Sequence, residues 1–95
     1  VNETTPKPFE VTQFEEAGCR TWQLTPRNIS RVDNDVDKCG VFAKGYYAAG
    51  DDGRPECIGL RIGDRPNHVI AFYGDWIIRH PDGRFTVHPV DEADR

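Results

Sequence analysis

Residues Phe72 to Phe85 read FYGDWIIRHPDGRF, and the reading of this stretch decides the fold. Its centre, His80-Pro81-Asp82-Gly83, is a turn: Pro81 supplies a φ near −65°, and Gly83 suits a bulge position that needs φ above zero. A three-residue loop then pairs His80 with Arg84, Ile78 with Thr86 and Ile77 with Val87. Matching apolar faces instead would pair Ile78 with Phe85 and Trp76 with Val87, one residue away. A slip of one residue turns every side chain to the opposite face. Turn chemistry is the stronger constraint, and it leaves Trp76, Ile77 and Ile78 apolar on both faces, as in a central strand. Trp76, Ile77, Ile78 and Phe85 are therefore the expected structural anchor, with Trp76 its keystone.

Outward from this hairpin, HVIAFY (68–73) reads as a strand before the Gly74-Asp75 break, and ECIGLRI (56–62) alternates as another. VFAKGYYAA (41–49) is extended, followed by a GDDGRP loop. CRTWQL (19–24) alternates, with Cys19, Thr21 and Gln23 on one face and Arg20, Trp22 and Leu24 on the other. FEVTQF (9–14) is rich in strand formers and alternates, which predicts a strand. Between 26 and 37 the period changes: Ile29, Val32 and Val36 form one stripe, Pro26 suits a first helical position and Gly40 a stop. That predicts one short helix. The class is α+β, a mainly antiparallel sheet, curled or barrel-like, with this single helix. The expected organisation is an arm over 1–7, one globular domain over 8–90 and an acidic tail over 91–95.

Gly74-Asp75-Trp76-Ile77-Ile78-Arg79, with Gly83 and Phe85 on the returning strand, resembles the closing hairpin of a family of small uncharacterised phage and prophage proteins. Lys7-Pro8-Phe9-Glu10-Val11 resembles that family's β-rich opening. The middle of the chain is not covered, and Val87-His88-Pro89 departs from the family's Cys-Lys-Pro continuation. The resemblance implies a phage-type origin and fold. It implies no activity.

The net charge of −4 lacks the basic excess of a phosphate-contacting protein, which argues against nucleic acid as a partner. Acidic runs at 33–37, 51–52 and 91–94 could give a mild imitation of phosphate spacing. No apolar run approaches a membrane span. The opening VNETTPKPFE has no apolar h-region. The expected location is the cytoplasm of a bacterial host, with Cys19, Cys39 and Cys57 as reduced thiols. Without a Cys-x-x-Cys or His-x-x-x-His knuckle among these cysteines and His68, His80 and His88, no metal site is expected, nor any other cofactor. No motif fixes a catalytic nucleophile beside a histidine and an orienting acid.

What remains is an interaction surface. DNDVDK is acidic and poorly suited to a helix interior, and the aromatics Phe42, Tyr46 and Tyr47 follow it. Asp33, Asp35, Asp37, Phe42, Tyr46 and Tyr47 are the expected partner-binding residues. The functional expectation is a non-enzymatic phage-type protein that binds and modulates a host enzyme or defence system. The alternatives are a virion head or tail accessory and a small enzyme or nucleotide-binding module.

Overall fold

A computed structural model describes residues 8–64 and 66–89. The expected 1–7 arm and 91–95 tail lie outside the described residues. The elements, in chain order, are α1 (Phe9–Glu16), β1 (Arg20–Gln23), α2 (Ile29–Lys38), β2 (Ala43–Ala49), β3 (Pro55–Ile62), β4 (Val69–Phe72), β5 (Trp76–Arg79) and β6 (Phe85–His88). All pairings are antiparallel. The strands form two three-stranded sheets, ordered β1-β5-β6 and β2-β3-β4. The fold is α+β, but the sheets do not close into a barrel and the described helices number two, not one.

The hairpin takes the register that its turn dictates. Ile77 faces Val87, Ile78 faces Thr86, and the His80 amide donates to the Arg84 carbonyl at 2.8 Å. Gly83 has φ 90° and its amide closes the turn on the His80 carbonyl at 2.8 Å, which is the left-handed geometry a side chain resists. β5 is central in its sheet, and Trp76, Ile77 and Ile78 are all buried.

The expected strand at 9–14 is instead the helix α1. Pro8 is its N-cap and Glu10 sits in its first turn, where an acidic group suits the helix dipole. The strand preference of Val and Phe is a weak one that packing overrides. Val11, three residues from Phe14 and so on the same helical face, is fully buried where α1 rests on β1 and β5. The second helix starts at Ile29 rather than at 26, because Thr25 and Asn28 bond each other reciprocally: the Thr25 amide donates to Asn28 Oδ1 at 2.8 Å and the Asn28 amide to Thr25 Oγ1 at 3.2 Å. Gly40, with φ 84°, follows its end.

Strand alternation separates two packing zones. Trp22, Ile77 and Phe85 face the main core, which they share with Leu24, Val32, Val36, Leu60, Ile62 and Ala71. Trp22 and Phe85 stack there with ring centroids 6.3 Å apart. Trp76 and Ile78 point to the opposite face, with Thr21, Gln23, Thr86 and His88 as their strand partners, on the side where α1 packs. Trp76 is 8 % exposed but lies outside the main core cluster in which it was expected as keystone.

Candidate functional site

The sheet β2-β3-β4 has one face in the core and one facing away from it. Register and alternation place Ala43, Gly45, Leu60, Ile62, Val69 and Ala71 inward. Lys44, Arg61 and Ile70 form one row across the outer face, and Tyr46, Gly59 and Phe72 form the next. Lys44 is exposed, while Tyr46, Arg61, Ile70 and Phe72 are half-buried. Tyr46 and Phe72 meet edge to face over Gly59, with centroids 6.1 Å apart and planes at 76°. A Cβ at Gly59 would press on the Ala71 carbonyl oxygen, so the β4 backbone approaches β3 here as closely as only glycine allows.

Tyr46 and Tyr47 do not form one strip. β3 carries an irregularity here, so that Tyr46 pairs with Gly59 but Tyr47 with Cys57, and Ile58 is left over. Alternation along β2 puts Tyr47 on the inward side with Gly45, and the extra residue on β3 brings Cys57 to the same side. Tyr47 nevertheless remains 58 % exposed, at the open end of the sheet. Tyr73 lies near it, and a hydrogen bond with Cys57, reinforced by burial, pushes its hydroxyl up to about 12. Phe42, 50 % exposed, precedes β2, and its carbonyl accepts the Gly63 amide at 2.8 Å.

The acidic residues sit on α2, which packs on the inner side of the same sheet through Val32 and Val36. They are thus parted from the Tyr46 face by the sheet itself. Asp35 is committed within the fold: its Oδ2 accepts Trp22 Nε1 at 3.2 Å and Arg20 Nη2 at 3.4 Å, and the Arg20 guanidinium lies 4.6 Å from the Trp22 ring centroid. Burial, and then repulsion from Asp37 one turn away, raise the carboxyl of Asp33. Asp51 and Asp52 lie apart from α2, in the loop between β2 and β3. The run at 91–94 falls outside the described residues.

β2 is an edge strand, with β3 on one side and no strand on the other among the described residues. It runs for seven residues without proline. Such an edge offers unpaired backbone donors and acceptors to an incoming strand. Tyr46 stands among the residues expected from the sequence, whereas Phe72, Ile70 and Arg61 do not, because their shared face depends on the pairing of three strands.

Cys19, Cys39 and Cys57 are free and half-buried. Among the described residues, no group of three potential metal ligands converges, and no helix is long and apolar enough to cross a membrane. Comparison with known protein families, characterised proteins and solved structures finds no match to this chain.

Proposed function

We propose that the protein acts by binding another protein through the outer face and free edge of β2-β3-β4. The observation that carries this reading is the Tyr46–Phe72 pair, half-buried beside Ile70 and flanked by the cations Lys44 and Arg61 on a face that the core does not use. Aromatic and arginine side chains are what protein interfaces concentrate, because they bury much area while fixing geometry. The cations give the face a sign opposite to that of the chain as a whole, which favours a partner with an acidic rim. Tyr47 and Phe42, exposed at the two ends of β2, extend the contact along its edge. The resemblance of the hairpin to phage proteins supports a bacterial host protein as the partner, and modulation of that partner as the role.

The test is capture from bacterial lysate by the immobilised chain, compared with Tyr46→Asp. Tyr46→Asp should weaken capture of a defined partner at least about tenfold, equivalent to 1.4 kcal/mol. Equal capture by the variant would reject this face. Ordered self-assembly without any captured protein, seen by sedimentation, would favour the virion accessory.

A further inference from the structure

Cys19, His80 and Thr86 come together on the α1 side of the sheet β1-β5-β6, although sixty-one positions separate Cys19 from His80. Cys19 Sγ lies 3.6 Å from His80 Nδ1, and His80 Nε2 lies 2.8 Å from Thr86 Oγ1. The Phe14 ring meets the imidazole edge to face, with centroids 5.7 Å apart at 87°. The imidazole is therefore held on three sides. In the tautomer that donates Nε2–H to Thr86 Oγ1, Nδ1 keeps its lone pair toward the thiol. This is the arrangement of a base beside a nucleophile, with a third group orienting the base.

We propose that Cys19 is a peroxide-reactive thiol, with His80 as its base and Thr86 as the positioning residue. The surrounding backbone narrows the chemistry. The amides of Gly18 and Cys19 are already bonded, to the carbonyls of Glu15 and Phe14 at 3.0 Å each, so neither is free to hold the oxyanion of an acyl transfer. Attack on a hydroperoxide needs no such hole. As sulfur attacks one peroxide oxygen, the thiol proton passes to His80 Nδ1, an S–O bond forms and the O–O bond breaks. Sulfur is oxidised by two electrons to a sulfenic acid. The departing oxygen takes the proton from His80 and leaves as water, or as an alcohol from an organic hydroperoxide.

The other two cysteines serve as references because all three are half-buried. Cys57 is engaged with the Gly59 carbonyl at 3.5 Å and with Tyr73. Cys39 packs against the core cluster. If exposure alone governed reactivity, the three would differ little. The imidazole distinguishes Cys19.

The experiment treats the reduced full chain with hydrogen peroxide, traps sulfenic acid with a dimedone probe and measures each cysteine by peptide mass spectrometry. Cys19 should be labelled about tenfold faster than Cys39 or Cys57, a modest share of what a positioned base supplies. His80→Gln should remove that lead, Thr86→Val should reduce it, and Thr86→Ser should retain it. The proposal is overturned if wild-type Cys19 reacts no faster than both other thiols. It is also overturned if His80→Gln, folded by its thermal melt, keeps the full lead. Should His80→Gln unfold, the Thr86→Val and Thr86→Ser pair decides: equal rates in those two variants contradict the positioning of His80 by a hydroxyl.

Discussion

Tyr46 and Phe72 touch edge to face across Gly59, from strands that flank β3 on its two sides. The contact is a cross-sheet pair, and such aromatic pairs contribute about 0.5–1.5 kcal/mol beyond the area they bury. A double-mutant cycle of Tyr46→Ala and Phe72→Ala, followed by urea unfolding, should return a coupling energy of about 1 kcal/mol. Gly59→Ala should destabilise by about 1–3 kcal/mol, because the added methyl meets the Ala71 carbonyl and not a yielding side chain. A coupling near zero would mean that the two rings do not meet in solution.

Trp76 and Ile77 are adjacent but serve different packing zones. Trp76→Ala should cost about 3–5 kcal/mol, and Ile77→Ala about 2–5 kcal/mol. Since Trp76 lies on the face where α1 packs, its loss should also speed amide exchange in α1 ahead of exchange in α2. Ile77→Ala should loosen α2 instead, since Val32 and Val36 share its cluster. Identical exchange patterns in the two variants would contradict this division.

Asp33 gives a prediction in pH. Burial and then the neighbouring Asp37 raise its carboxyl above 3.8, so the folded state holds the Asp33 proton more tightly than the unfolded state does. The associated stability is present below pH 3.8 and is lost as pH rises through the folded value. Asp33→Asn should therefore raise the melting temperature at pH 7, and that gain should shrink below pH 4. Asp82 runs the other way. Its carboxylate accepts the Arg84 amide at 2.9 Å, which holds it below the ordinary value, so its contribution is present above pH 3.8 and fades as pH falls through the folded value.

Tyr73 should ionise near pH 12 in an ultraviolet titration, held up by its hydrogen bond with Cys57 and by burial. Stability from this group is intact below pH 10 and is lost as pH rises toward 12. Cys57→Ala should move the Tyr73 titration toward 10. An unchanged titration would show that the Cys57 bond is not the cause.

The hairpin was legible because its constraint is local: Pro81 and Gly83 admit one turn, and the turn sets every pair from Arg79 opposite Phe85 to Trp76 opposite His88. The α2 stripe was legible for the same reason. α1 was not, because eight residues make only two turns, and the burial of Val11 against β1 and β5 outweighs the strand preference of its sequence. Tyr46 and Tyr47 were legible as opposed aromatics, since neighbours in an extended strand face opposite sides. Their partners were not, because the extra residue Ile58 on β3 decides that Cys57 faces Tyr47. The pairing of Cys19 with His80 left no local signal, since only the docking of β1 on β5 brings them together.

The most direct test of the binding account is amide hydrogen exchange of the chain alone and in complex with the protein it captures. The account predicts protection concentrated in β2 (43–49) and β4 (69–72), with α1 unchanged. Protection confined to α1 and β1, with β2 and β4 exchanging as in the free chain, would contradict it.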